Sequence, residues 1–186
     1  MANKDAAFGL KAIGKVGQNR DNQGLSEYSI AASSDAIYQN DPVIMAATGE
    51  IEVGAAAEVL LGSLNGVFYT DASTSKPTWA NHLAAANTAT DIVGFVSDDP
   101  YERFEVQSAG TVAAADIGLC ADISYTAGSS PDYISKTEIS GTMATGTAQL
   151  KIIGVSKDPD NDELGAANAN VVVTINEHFL NTAAGI

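Results

Sequence analysis

The sequence predicts a mainly β fold: a compact antiparallel β-sandwich or β-barrel with short helical turns and an extended N-terminal arm. Short apolar runs and alternating apolar and polar residues recur along the chain, separated by glycine, proline, asparagine and aspartate. No segment carries the apolar stripe, with a period of about 3.6 residues, that a core helix needs. A chain of 186 residues can bury a core without disulfide bonds, and its one cysteine, Cys120, cannot form an internal one.

The clearest pair of strands lies in residues 90–107. The apolar run at 92–96 is typical of a strand that is buried on both faces. Asp98, Asp99 and Pro100 then supply turn chemistry. Phe104 and Val106 alternate with polar residues, as in a half-buried strand. We therefore expect two strands joined by a tight turn, with further strands beside them.

Other stretches with the same character extend this prediction over the rest of the chain. Pro42 lacks an N–H and is expected at the first residue of a strand or at a sheet edge. Gly62 and Gly66 interrupt the 59–70 stretch and indicate bulges or close backbone approach. Residues 54–59 and 112–122 could form short helical turns. The remaining predicted strands lie at 27–31, 35–40, 43–45, 50–53, 59–70, 123–125, 150–155 and 170–175.

The sequence divides into an extended arm, residues 1–26, and a single β-rich domain, residues 27–186. The arm carries four of the nine basic residues, and its apolar residues are spaced irregularly. It could be a frayed terminus or an arm that becomes ordered on a partner. In the second case Phe8, Leu10 and Ile13, with Lys11 and Lys15, are the candidate interface residues. Deletion of residues 1–20 should then leave a folded body that no longer binds the partner.

A long loop is predicted at residues 71–90, where the chain is small and polar. Its one conspicuous residue is Trp79. The indole either covers the core from outside or anchors an interface, where tryptophan is over-represented. His82 has no metal-ligating neighbours in sequence and is expected to be an ordinary loop histidine.

The charge balance excludes some classes of partner. The formal net charge is −14, from 23 acids and 9 bases. Such a chain repels nucleic acid and anionic membranes. No apolar run approaches the roughly 18 residues of a membrane helix, and the first residues do not resemble a signal peptide. We expect synthesis in a cytoplasm.

The motifs of common enzyme chemistry are absent. There is no phosphate-binding loop, dinucleotide fingerprint or serine-nucleophile elbow. The sequence from Asp158 to Asp162 begins like a calcium loop, but Glu163 and Ala169 stand where the loop requires glycine and glutamate. The acidic pairs Asp98/Asp99 and Glu102/Glu105 could be read as glycosidase carboxylates but are common turn residues. We therefore predict a non-enzyme without catalytic, cofactor or metal residues.

Several stretches of the chain resemble a small structural protein of marine tailed bacteriophages. They are MANKDAAFGL at 1–10, NDPV at 40–43, TDIVGFVSDDPYERFEVQSAG at 90–110, IGVSKDPDND at 153–162 and VVVTINEH at 171–178. The resemblance implies a capsid decoration or cement protein on the outer capsid surface of the virion, made in the host bacterial cytoplasm. The implied partners are the major capsid protein and further copies of the chain, as trimers or dimers.

Two other functions remain open from the sequence. One is another virion part, a tail-tube or fibre subunit. The other is a carbohydrate-binding β-module that uses the 71–90 loop and Trp79.

Overall fold

A computed structural model describes residues 2–17, 24–32 and 34–181. These residues form thirteen β-strands and two short 3-10 turns, Ala114–Asp116 and Phe179–Asn181. The strands are β1 (Lys11–Lys15), β2 (Ser26–Ser29), β3 (Pro42–Met45), β4 (Ile51–Val53), β5 (Gly62–Thr70), β6 (Pro77–Ala80), β7 (Val93–Ser97), β8 (Glu102–Gln107), β9 (Cys120–Ala121), β10 (Ile123–Ser124), β11 (Glu138–Ile139), β12 (Leu150–Val155) and β13 (Asn170–Ile175). None of the helical segments found in these ranges could span a membrane.

The strands form two principal sheets, both antiparallel. The five-stranded sheet has the order β1-β8-β13-β12-β9. The six-stranded sheet has the order β2-β7-β5-β3-β4, and β6 pairs with β5 beyond the end of β3. β10 and β11 form a separate two-stranded sheet. The mainly β prediction is confirmed. In the described ranges both principal sheets have free edges, which is consistent with a sandwich and not with a closed barrel.

Residues 90–107 do form two strands, but these strands do not pair with each other. β7 pairs with β2 and β5, whereas β8 pairs with β1 and β13. The predicted hairpin is therefore wrong, and the turn at Asp98–Pro100 carries the chain from one sheet to the other. Two aspartates stabilise this turn between the sheets. Asp98 accepts hydrogen bonds from the hydroxyls of Ser26 and Tyr28, and Asp99 pairs with Lys15.

Each principal sheet has its own hydrophobic cluster. Alternate residues of β8, β12 and β13 build the first, which includes Phe104, Leu150 and Val173. The second lies under β2, β3, β4, β5 and β7 and includes Leu64 and Val96. Contacts between the sheets join the two clusters: Ile44 of β3 packs against the first cluster. Antiparallel sheets packed together therefore form one body.

The N-terminal segment differs from the predicted arm. β1 is an edge strand of the five-stranded sheet, and residues 3–10 hydrogen-bond to the body. Side-chain amides supply many of these bonds: Gln107 donates to the Lys4 carbonyl and accepts from the Ala6 N–H. An extended chain that satisfies its backbone groups in this way belongs to the fold. Arg20 and the rest of 18–23 lie outside the described residues.

The predicted loop at 71–90 contains a strand. β6 runs antiparallel to β5, with Trp79 opposite Phe68. Asp71 caps the connecting turn by accepting hydrogen bonds from the backbone N–H groups of Ser73 and Thr74. The sequence signal for this short edge strand is weak, because the exposed residues are Pro77 and Trp79 and the half-buried ones are Thr78 and Ala80, so apolar and polar residues do not alternate.

Candidate interaction surface

Three aromatic side chains form a connected cluster on the outer face of the six-stranded sheet. The Trp79 ring centroid lies 5.0 Å from that of Phe68 and 4.9 Å from that of Phe95. The Trp79 and Phe95 rings are nearly parallel, with an interplanar angle of 26°. We call these three residues the aromatic platform. Trp79 is 69% exposed, so the platform is fixed from below and open to solvent above.

Strand alternation places all three rings on the same face. Val67 of β5 and Val96 of β7 point into the core, so Phe68 and Phe95 point outward. Trp79 lies on β6, on the other side of β5 from Phe95. The rings of neighbouring strands meet because cross-strand and diagonal neighbours are within reach of aromatic side chains.

Gly66 lies next to the aromatic platform in the strand register. It sits opposite Phe95 in the β5–β7 register, directly after a bulge at Asn65. The predicted bulge in this stretch is thus confirmed. A Cβ at this position would come within 3.0 Å of the Ala80 carbonyl oxygen on β6, so the missing side chain permits a close backbone approach.

Carboxylates border the platform. Glu27 of β2 lies opposite Phe95 and is exposed. Asp91 accepts hydrogen bonds from the hydroxyl and the backbone N–H of Thr70, at 2.6 and 3.0 Å. These two bonds lower the pKa of Asp91, so the carboxylate stays charged at neutral pH. The surface therefore combines an apolar centre with a negative border.

The candidate residues of the N-terminal segment do not join this surface. Leu10 is fully buried in the cluster of the five-stranded sheet and cannot reach a partner. Phe8 is half-buried, with the Lys11 Nζ 5.9 Å from its ring centroid. Lys11 and Lys15 pair with acids of this same chain, Glu105 and Asp99. Ile13 is exposed, but on the other principal sheet.

The acidic motifs have structural partners. Besides Asp98 and Asp99 at the crossing turn, Glu102 accepts the Gly14 N–H and Glu105 pairs with Lys11. Asp160 pairs with Lys4. The part of the chain that the structure describes contains no group of three or more His, Cys, Asp and Glu residues that could hold a metal ion. These carboxylates hold loops and the N-terminal segment in place.

Two buried ionisable groups lie away from the platform. Burial raises the pKa of Asp41 to about 6, although the nearby Ser135 hydroxyl, the hydrogen bond from the Tyr38 N–H and the nearby Tyr125 hydroxyl act in the opposite direction. Burial lowers the pKa of His178, while Asp98 and Asp99 raise it more weakly. The His178 Nδ1 accepts the Leu180 N–H.

His82 and Cys120, the other two residues considered as metal ligands or nucleophiles, have structural surroundings. His82 stacks on Tyr133, with ring centroids 3.9 Å apart, and Cys120 is buried. Comparison of the chain with protein-family models, with curated proteins and with solved structures finds no match.

Sequence reasoning identified Trp79 but missed its two partners. Phe95 stood in a run predicted to be buried on both faces, whereas Val93 and Phe95 are only half-buried. The sequence signal that could have identified Phe68 is Gly66-Val-Phe, next to the expected bulge. In a strand, Phe68 lies on the face opposite Val67. Pairing that residue with Trp79 required the β5–β6 register.

Proposed function

We propose that the chain is a structural virion protein that decorates and stabilises an icosahedral phage capsid by bridging coat subunits. The observation that carries the proposal is the aromatic platform, a rigid and exposed cluster around Trp79 with charged groups at its border. Tryptophan and its aromatic neighbours are the residues that most often dominate the binding energy of protein interfaces. The resemblance to phage decoration proteins supplies the class of partner, the major capsid protein.

The platform suits this role because it is already ordered before binding. Trp79 packs against Phe68 and stacks on Phe95, so little side-chain entropy remains to be lost on docking. The carboxylates Glu27 and Asp91 favour an apolar patch with basic neighbours on the coat. Many such contacts on a symmetric shell give high avidity from weak single contacts.

The test is binding to capsids purified without this protein. Trp79→Ala should weaken binding by at least about tenfold, the equivalent of about 1.4 kcal/mol. Tyr101→Ala is the matched control, since Tyr101 is another exposed aromatic residue, at 66%, outside the platform. Full binding by Trp79→Ala would refute docking through the platform. If the wild-type chain binds no shell and instead assembles into rings or fibres, a tail-tube or fibre subunit would be favoured.

A carbohydrate-binding module is the second candidate, because an open indole beside carboxylates can also stack on a sugar ring and hydrogen-bond its hydroxyls. A glycan array separates the two functions. Binding of a defined glycan by the wild-type chain, lost in Trp79→Ala and kept in Tyr101→Ala, would favour the carbohydrate function over the capsid function.

A further inference from the structure

The outer face of the five-stranded sheet carries a shallow groove that the platform does not reach. Its floor is formed by the outward residues of β8 and β13, including Arg103, Glu105 and Val172. Their strand neighbours, such as Phe104 and Val173, fill the core. The groove is lined by Ile13, Arg103, Glu105, Ile153, Gly154, Val155, Ser156, Lys157 and Val172. We call it the sheet groove.

Two β-bulges place isoleucines on the walls of the sheet groove. The β1–β8 register shifts between Ala12 and Gly14, and the β12–β13 register shifts between Ile152 and Gly154. The extra residues are Ile13 and Ile153, which are 44% and 38% exposed. A bulge interrupts the ladder and redirects a side chain. Two independent bulges that expose isoleucine to one groove indicate a surface shaped for contact.

The sheet groove and its border are basic, in contrast to the rest of the chain. Arg103 and Lys157 line it, and Lys11 and Lys151 lie on the same outer face. Among these residues and the lining, the one acid is Glu105, which already pairs with Lys11. With these four bases and Glu105 counted in the groove and its border, five bases and 22 acids lie elsewhere in the sequence. The molecule therefore has a positive face on a strongly negative body.

Arg103 adds a second, independent observation. Its Nε is buried, and no hydrogen-bond acceptor lies within reach among the residues that the structure describes. The Glu102 carboxylate acts on Arg103 only through its charge, and guanidinium groups bind carboxylates through short charge-assisted hydrogen bonds. The sheet groove thus combines exposed aliphatic side chains with a guanidinium group whose hydrogen-bonding capacity is not filled by the described residues.

We propose that the sheet groove binds the acidic surface of a second copy of this chain, head to tail. Charge complementarity selects this occupant, because every copy presents a positive groove and a negative remainder. Such a contact is heterologous, and its repetition closes into a ring when the rotation between copies permits. The proposal holds whether or not the platform binds a coat protein.

The test is the oligomeric state of the full chain by sedimentation velocity, from about 1 to about 100 µM, a range that covers weak to moderate self-association. The wild-type chain should form oligomers that dissociate as salt rises, because the Debye length falls from about 10 Å at 0.1 M to about 3 Å at 1 M. Arg103→Glu and Lys157→Glu should each weaken association at least about tenfold. Lys157 is exposed in a loop, so its variant guards against misfolding of the Arg103 variant.

Lys76→Glu is the matched control, since it makes the same change of charge at an exposed site on the β5–β6 turn. It should leave self-association intact. A wild-type chain that stays monomeric throughout the range would overturn the proposal. So would equal weakening by Lys76→Glu, which would indicate net charge and not the groove. Monomers whose shell binding depends on Arg103 would assign the groove to the coat instead.

Discussion

The backbone N–H of Leu10 donates a 2.9 Å hydrogen bond to the carbonyl oxygen of Asn40. Asn40 also donates from its side-chain amide to the Phe8 carbonyl, and its own N–H binds the carbonyl of Leu64 in the six-stranded sheet. One residue thus fastens the N-terminal segment to the six-stranded sheet. The hydroxyl of Ser63 adds a hydrogen bond to the Leu10 carbonyl. This joint explains why the segment belongs to the body.

Leu10→Ala should lower the free energy of unfolding by about 2–5 kcal/mol, the range for a fully buried leucine that leaves a cavity. Ile13→Ala is the matched control three residues away. Because Ile13 is exposed, Ile13→Ala should lower the free energy of unfolding by less than about 1 kcal/mol. Urea unfolding curves measure both values.

If both variants lose equally little stability, the N-terminal segment behaves as the mobile arm that its sequence suggests. The same reasoning changes the expectation for the 1–20 deletion. That deletion removes β1 and Leu10 together, so we now expect a destabilised body, and loss of shell binding by it would not identify an interface.

Gly9→Ala should be strongly destabilising. Gly9 has φ +73°, and a Cβ there would lie 2.4 Å from the Asn40 carbonyl oxygen and 2.5 Å from the Ser135 Cβ. Gly17→Ala is the control, because Gly17 has φ +64° but no atom of the described residues lies within 4 Å of an added Cβ. The left-handed conformation alone costs about 1–2 kcal/mol. Thermal unfolding should show a clearly larger loss of stability for Gly9→Ala than for Gly17→Ala. Equal losses of stability would contradict the close approach of Gly9 to Asn40 and Ser135.

Asp41 should make the protein less stable as the pH rises through about 6. Its folded pKa of about 6 lies above the ordinary value of 3.8, so the folded state binds the proton more tightly than the unfolded state. The resulting stabilisation is complete below the unfolded pKa and is lost as the pH rises through the folded pKa. The difference corresponds to roughly 3 kcal/mol at most.

Asp41→Asn isolates this effect, since asparagine keeps an acceptor for the Tyr38 N–H but does not titrate. Relative to the wild type, the variant should gain stability between pH 4 and pH 8. The contribution of His178, whose lowered pKa costs stability as the pH falls below the unfolded value, cancels in the comparison. A difference between the two proteins that does not vary with pH would contradict the assignment.

Trp79 should report on the platform by fluorescence, because it is the one tryptophan in the sequence. Its emission should resemble that of a solvent-exposed indole, and acrylamide should quench it efficiently. Phe95→Ala removes one stacking partner and should lower the fluorescence anisotropy, at a stability cost of about 0.5–1.5 kcal/mol. Tyr101→Ala should leave the anisotropy unchanged. A blue-shifted, poorly quenched emission in the free protein would contradict an open platform.

Much of the local structure could be predicted because it depends on neighbours in sequence. The apolar residues of 150–155 and 170–175 predicted β12 and β13 with their observed bounds. Pro42 begins β3, as the missing N–H requires, and the glycine after Asn65 coincides with a bulge. The same local signals missed β6, where small polar residues give no alternation to read.

By itself the sequence determined that the chain is acidic, rich in strands and equipped with a single conspicuous tryptophan. Alternation shows that a strand has two different faces, but it does not reveal which strand lies beside it. The tertiary structure decided that β7 and β8 enter different sheets, that Leu10 is buried, and that Phe68 and Phe95 support Trp79. It also decided that two bulges bring Ile13 and Ile153 to one groove beside Arg103. These relationships join residues far apart in the chain, and only long-range strand pairing fixes them.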